Sequence, residues 1–340
     1  MSASGPSTTP DHIRKAWNEA HVSPLWEALE AHSTEVKRDR GYIWKWSVMK
    51  PLIQNALDLQ DMAAIQRRVL SFNNPNLRSG NSMGATPTLT AALQILKPGE
   101  VARPHRHSPS ALRFVLEGDG AYTIVDGKEC LMNEGDLIIT PGWTWHAHEH
   151  RGNKPIIWLD SLDVPVHRYF GTDGFEPGPP PNEMPATAAD AMFAVANIVP
   201  DGAPNNPKFS PIFRYPLEQA LAALKTAPLA KDGVKRVRYV NPMNGGPCMS
   251  LMDCYMIEIG EGETVPLKST QSAVCAVVEG NGTTQAGDDS FSWEPKDVFS
   301  LPTGAVIRHR AKGTARLFVV SDREILRRLD LLEESCGAVA

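Results

Sequence analysis

The sequence predicts a mainly β protein built from two copies of one barrel unit, on three observations. Between Thr88 and about Leu162 it breaks into short β-type runs, TLTAALQIL, SALRFVLEG, GAYTIVDG, DLIITP and KPIIWLDSL, separated by Pro-Gly, Gly-Asp-Gly, Asp-Gly and Glu-Gly turns. A second set of such runs spans about Val237 to Asp322 and repeats the first: VEGNG (Val278 to Gly282) answers LEGDG (Leu116 to Gly120), and DVFSLPTG (Asp297 to Gly304) answers DLIITPGW (Asp136 to Trp143) at nearly the same offset. Helical periodicity is confined to the flanks and the connector.

In chain order, residues 10 to about 70 read as a helical arm. PLWEALEAHSTEV and DMAAIQRRVLSF carry apolar residues three and four apart, with a break at Pro51. The passage GTDGFEPGPPPNEMP reads as a connector, PLEQALAALKT as a helix, and REILRRLDLLEES as a closing amphipathic helix. The expected organisation is an N-terminal helical arm (1–75), a first barrel (76–170), a linker with a helix (171–235) and a second barrel with the C-terminal helix (236–340).

Composition narrows the function. With 340 residues, 42% hydrophobic and 21% charged, the chain can bury two ordinary cores. A net charge of −5 offers no electrostatic footprint for nucleic acid or an anionic membrane, and no apolar run approaches a bilayer span. The first residues lack a signal-peptide pattern, and the five cysteines are scattered with no CxxC pair. Free thiols in the cytoplasm are the expectation.

Five of the ten histidines fall in two short stretches, His105 and His107, then His146, His148 and His150. Residues two apart on a strand share a face, so each stretch aims its imidazoles one way. Arg113 follows in an otherwise apolar run, and strand parity turns it inward with Ala111. A buried guanidinium calls for an anion, and its planar fork matches a carboxylate.

The spacing Gly99-x5-His105-x-His107-x3-Ala111-x6-Gly118 resembles the first cupin motif, with alanine where a glutamate is usual. Gly135-x5-Pro141-x-Trp143-x2-His146-x3-His150 resembles the second, with Trp143 and His150 in place of glycine and asparagine. More narrowly, HRHSPSALRFVLEGDGAYTIVDG, GDLIITPGWTWHAH, PLWEALE, RRVL, NPNL, TPTL, ALQILKPGE and YVNPMNGGP resemble the gentisate 1,2-dioxygenase family, whose members also cleave salicylates, 5-nitrosalicylate and 1-hydroxy-2-naphthoate.

That resemblance implies a bicupin, two double-stranded β-helix barrels, with Fe(II) on His105, His107 and His146. Three neutral imidazoles and no glutamate leave coordination positions for a substrate and dioxygen. The substrates implied are O2 and an aromatic hydroxy acid, gentisate or a 5-substituted salicylate, with the bond between the carboxyl-bearing and hydroxyl-bearing carbons opened. Arg113 would clamp the carboxylate and His148 would act beside it. By family match Asp160 orients His148, and Gln94, Thr90 and Trp143 line the pocket. Thr90 stands where relatives often carry an aromatic, which bears on the ring substituent accepted. Arg67, Arg68 and Arg78 are candidates for a second anion contact, each read first as a surface charge, and His150 is expected at the surface. Relatives are commonly tetramers. Aligning VEGNG on LEGDG puts Leu267, Ser269 and Ile307 at the ligand positions and Cys275 at that of Arg113, so the second barrel should hold no metal. A cupin that binds or isomerises a small acid or sugar, with zinc or no metal, is the competing reading.

Overall fold

The computed structural model describes residues 10–25, 39–59, 65–78, 84–182, 187–193, 195, 198–203 and 208–337. The chain divides into a unit ending at Arg38 and a larger one from Asp39 onward. The first contains helix α1 (Asp11–Glu19). The segment PLWEALEAHSTEV falls mostly outside the described residues.

The larger unit is mainly β, as the repeat predicts. It begins with β1 (Tyr42–Trp44), α2 (Trp46–Leu59) and β2 (Val69–Ser71). The first barrel follows as β3 (Thr90–Leu96), β4 (Val101–His107), β5 (Ala111–Glu117), β6 (Ala121–Val125), β7 (Lys128–Met132), β8 (Leu137–Thr140), β9 (His146–His150) and β10 (Ile156–Leu162). The connecting region holds α3 (Val164–Phe170), β11 (Phe175–Pro177), β12 (Arg214–Tyr215) and α4 (Leu217–Thr226). The second barrel comprises β13 (Val234–Arg238), β14 (Asp253–Ile259), β15 (Gly262–Glu263), β16 (Leu267–Ser269), β17 (Ala273–Glu279), β18 (Gly282–Ala286), β19 (Asp289–Trp293), β20 (Val298–Leu301), β21 (Val306–Ala311) and β22 (Ala315–Ser321). Helix α5 (Arg323–Arg328) and β23 (Glu334–Cys336) close the described chain.

Each barrel is two sheets. The first uses β12-β8-β5-β10-β3-β2 and β11-β4-β9-β6-β7; the second uses β1-β20-β17-β22-β14-β13 and β19-β18-β21-β16-β23. The two barrels share one apolar core, in which Phe114 of β5 stacks on Phe318 of β22 at 4.2 Å between ring centroids. The repeated glycines explain why the turn motif recurs. Gly118 and Gly280 have φ of 95° and 81°, and a Cβ would stand 2.7 Å from the Pro155 carbonyl and 2.6 Å from that of Thr314.

Four expectations about elements change. Pro51 lies inside α2 rather than breaking it, at the loss of one backbone hydrogen bond. Within DMAAIQRRVLSF, Val69–Ser71 is a strand paired on β3, because an open sheet edge there offers backbone partners. The connector contributes β11, which pairs Phe175 with His107 and Pro177 with His105, on the edge of the sheet where a proline is tolerated. The C-terminal helix ends at Arg328; Asp330 takes φ of 58°, and Glu334–Cys336 turns back as a strand on β16.

Candidate active site

The backbone register assembles the histidines. Across β4 and β9, His105 lies opposite His146, and His107 is two residues further along β4. One ligand atom from each of His105, His107 and His146 falls within 4.8 Å of the others. Each Nδ1 faces a backbone carbonyl: His105 to Arg103 (3.2 Å), His107 to Pro109 (2.7 Å) and His146 to Thr144 (3.0 Å). A carbonyl only accepts, so each Nδ1 carries the proton and each Nε2 keeps its lone pair. His146 Nε2 is buried without a hydrogen-bond partner. Burial, then the charge of Arg67, pushes His105 down to about 3; burial, then the Pro109 carbonyl acting against it and Arg113 acting with it, leaves His107 at about 4. Three neutral imidazoles, each with its Nε2 lone pair free, fit a divalent transition metal.

Beside them stands the cation that the sequence placed in an apolar strand. Arg113 is 4% exposed, and Asp160 lies opposite it across β5 and β10. Its Nε is 3.5 Å from Asp160 Oδ1, an ion pair without hydrogen-bond alignment, and is otherwise unpartnered. One terminal nitrogen donates to Thr140 Oγ1. Burial outweighs the mutual attraction for both members of the pair: Asp160 rises to about 6 and Arg113 falls to about 10.

Thr90, Ala92 and Gln94 share one face of β3, opposite Leu162, Asp160 and Trp158 of β10. They therefore line the same interior as Asp160 and Arg113. Gln94 is buried and its Nε2 has no partner. Thr90 Oγ1 donates to the Leu162 carbonyl at the strand end.

His148 is fully buried on β9, with its ring 5.3 Å from that of Trp158. Its Nδ1 lies 3.0 Å from Thr123 Oγ1. The side chain that orients His148 is thus Thr123, directly across the strand pair, while Asp160 accepts from Trp158 Nε1 (2.9 Å) and faces Arg113. Sequence reasoning missed Thr123. Its counterpart by strand register is Thr284, but aligning LEGDG on VEGNG sets Gln285 against it, so the repeat gives no signal for it.

The three upstream arginines part ways. Arg68 is buried in a fork to Glu100 (2.7 and 2.9 Å), so it is a structural pair rather than a surface charge. Arg67, pointing the other way along an extended chain, has its guanidinium 5.9 Å over the Phe175 ring, which stacks on His105 at 5.5 Å. Its Nε is buried and unpartnered, and burial lowers its pKa. Arg78 is exposed beside Asp39. Only Arg67 of the three is brought to the histidines.

Two other expectations fail. Trp143 adopts φ of 66° in the β8–β9 loop, is 46% exposed, and lies on the Arg106 guanidinium at 4.9 Å rather than in the inner wall. His150 is buried, not at the surface: its Nε2 is 2.5 Å from the Lys154 carbonyl and its Nδ1 accepts from Gly152 N.

The turn between His107 and Arg113 is held by Asp163, whose Oδ1 accepts from Ser110 N at 2.8 Å and whose Oδ2 has no partner. Burial pushes this carboxyl up to about 7. A raised folded-state pKa means that the folded state binds the extra proton between the unfolded value and about 7. Stability therefore falls as pH rises through that window. Asp163→Asn should keep the Ser110 bond through its amide oxygen and flatten this dependence. Its melting temperature relative to wild type is expected to be higher at pH 8 than at pH 5; equal differences at both pH values would refute the assignment.

Fold and site together define a bicupin with, among the described residues, one three-histidine cluster that could hold a metal, an arrangement suited to a metal-dependent dioxygenase. The Cupin domain family matches residues 92–162. The chain is 37% identical to gentisate 1,2 dioxygenase 1 of Aquipseudomonas alcaligenes, over 93% of this chain and 94% of that one, and 31% identical to 5-aminosalicylate 1,2-dioxygenase of Comamonas sp, over 96% and 90%. A variant salicylate 1,2-dioxygenase of Pseudoaminobacter salicylatoxidans, solved in complex with gentisate, superposes with a TM-score of 0.90 at 30% identity, covering 100% of this chain and 98% of that one. This chain belongs to the gentisate 1,2-dioxygenase family and is a ring-cleaving dioxygenase.

Proposed function

We propose that the protein is an Fe(II)-dependent dioxygenase that opens gentisate or a 5-substituted salicylate between the carboxyl-bearing and hydroxyl-bearing carbons, both atoms of O2 entering the product. The observation that carries this reading is the pair of incompletely partnered arginines beside the histidine triad, Arg113 buried and Arg67 half-buried with a buried Nε. Their unused donors select an anion, and a guanidinium fork selects a carboxylate.

His105, His107 and His146 would hold Fe(II), which supplies the redox chemistry that lets dioxygen react with an aromatic ring. Arg113 grips the carboxylate, restrained by Asp160 from swinging away, and Arg67 adds a second positive charge on the side of Phe175. Such clamping fixes the ring before reaction. His148, held at Nδ1 by Thr123, presents Nε2 to the ring hydroxyl and can hold a proton there. Gln94 offers an amide donor to the ring edge. Walls of β3, β5 and β10 keep water away.

Relatives named for 5-aminosalicylate and 5-nitrosalicylate support a 5-position that need not bear a hydroxyl. Thr90, smaller than the aromatic common in the family, leaves space on the face of β3 that carries Gln94. We assign a cytoplasmic homotetramer, supported by the free thiols of Cys130, Cys248, Cys254, Cys275 and Cys336 and by the family resemblance.

Oxygen uptake with ultraviolet detection of the fission product, run on gentisate, salicylate, 5-aminosalicylate, 5-nitrosalicylate and 5-chlorosalicylate, tests the reading. At least one of the 5-substituted salicylates is expected to be turned over with kcat/KM within about 200-fold of gentisate, because one substituent in an apolar pocket changes the fit by only ~1–3 kcal/mol. Turnover of gentisate alone would contradict the role given to Thr90; turnover of none would contradict the whole.

A further inference from the structure

A cavity of about 580 Å³ occupies the second barrel, the one without a histidine triad among the described residues. Its volume is ordinary for a small-molecule site. Strand register shows how it arose. Leu267 lies opposite Ile307 across β16 and β21, as His105 lies opposite His146, and Cys275 lies opposite Val319 as Arg113 lies opposite Asp160. The metal ligands and the anion clamp are thus replaced by Leu267, Ser269, Ile307 and Cys275, all of which line the cavity.

One polar device survives the replacement. Thr284 and His309 pair across β18 and β21 as Thr123 and His148 pair across β6 and β9. Thr284 Oγ1 is 2.8 Å from His309 Nδ1 and accepts from Trp293 Nε1 at 2.9 Å. An indole N–H can only donate, and among the described residues His309 Nδ1 is the one acceptor within reach of the Thr284 hydroxyl, so the arrangement that satisfies both groups sends the hydroxyl proton to Nδ1 and leaves the imidazole proton on Nε2. His309 lines the cavity, and with Nδ1 committed to Thr284 its Nε2–H is what it has left to offer. Burial holds this imidazole at about 4, hence neutral.

Of the five charged side chains in the wall, Lys231 is exposed to solvent and the other four pair with one another. Arg236 pairs with Asp232 at 2.7 Å and Arg323 with Glu334 at 2.7 Å. The first barrel differs: Arg67, Gln94, Arg113 and His146 each keep a buried polar atom without a partner, whereas among the described residues none of the cavity-lining side chains does. We infer that the second barrel is a metal-independent binding site for a neutral, ring-sized molecule bearing a hydrogen-bond acceptor such as a carbonyl, which His309 Nε2–H would bind while Cys275, Leu267, Ile307 and Val319 pack the ring.

Acetophenone, benzoate and ethylbenzene serve as probes in titration calorimetry on the full chain, with and without Fe(II). Acetophenone is expected to bind at one site per chain with the same affinity in both states. Ethylbenzene and benzoate should each bind at least about tenfold more weakly, since one leaves the imidazole N–H unpaired and the other buries an uncompensated charge. Ile307→Phe and Cys275→Phe, two independent ways to fill the cavity, should each weaken acetophenone at least about tenfold in protein that still melts cooperatively, whereas His105→Ala should not. Absence of saturable binding to wild type, benzoate binding as tightly as acetophenone, or loss of acetophenone binding in His105→Ala would each overturn the proposal. Insensitivity to both filling variants would do the same.

Discussion

Arg113→Gln is expected to lower kcat/KM for the preferred hydroxybenzoate by about 10²–10³-fold, because truncating one partner of a buried charge pair costs ~2–5 kcal/mol and each ~1.4 kcal/mol is tenfold. Two charges lose their partner at once. The substrate carboxylate loses its fork, and Asp160, already pushed up to about 6 by burial, loses its nearest cation. Arg113→Lys should recover little of this, since a point charge cannot make the planar two-bond contact. Steady-state kinetics should show KM rising with Fe(II) content unchanged. A Gln variant within about threefold of wild type would place the carboxylate elsewhere, Arg67 being the first alternative.

His146→Ala carries the other large effect. His146 is buried, sits opposite His105, and has its Nδ1 tied to Thr144, so its Nε2 has no role within the chain. Removal leaves two imidazoles. Since loss of an outer-shell partner alone costs about 10–100-fold in affinity or activity, loss of a ligand should exceed the upper end of that range. Bound iron, measured by elemental analysis after anaerobic desalting, and oxygen uptake should fall together. Iron loss with retained turnover would mean that the triad is not the reactive centre.

How far the sequence leads depends on the range over which each contact is encoded. The triad was readable because its ligands lie in two local motifs, where strand parity alone fixes which way a side chain points. Arg113 was readable for the same reason: a cation in the run Ala111–Glu117 has nowhere to go but inward. The second barrel followed from the repeat, and Leu267 lies against Ile307 as His105 lies against His146.

The failures are non-local. Arg67 reaches the histidines only because β2 docks on β3 and Arg68 is anchored on Glu100, neither of which a local pattern reveals. Phe175 lies in a passage whose prolines and glycines look like a linker, yet it pairs with His107. Trp143 matched a motif position, but the positive φ that the motif's usual glycine would adopt freely turns its indole out onto Arg106. His150, expected at the surface, is instead buried, bonding the loop at Gly152 and Lys154.

Metal content and oxygen stoichiometry, measured together on protein purified without oxygen and reconstituted with Fe(II), test the central claim most directly. The account predicts one iron per chain, since the described residues offer one triad, and one O2 consumed per ring opened. Stoichiometric zinc in active protein, two irons per chain, or no oxygen uptake with any hydroxybenzoate would contradict it.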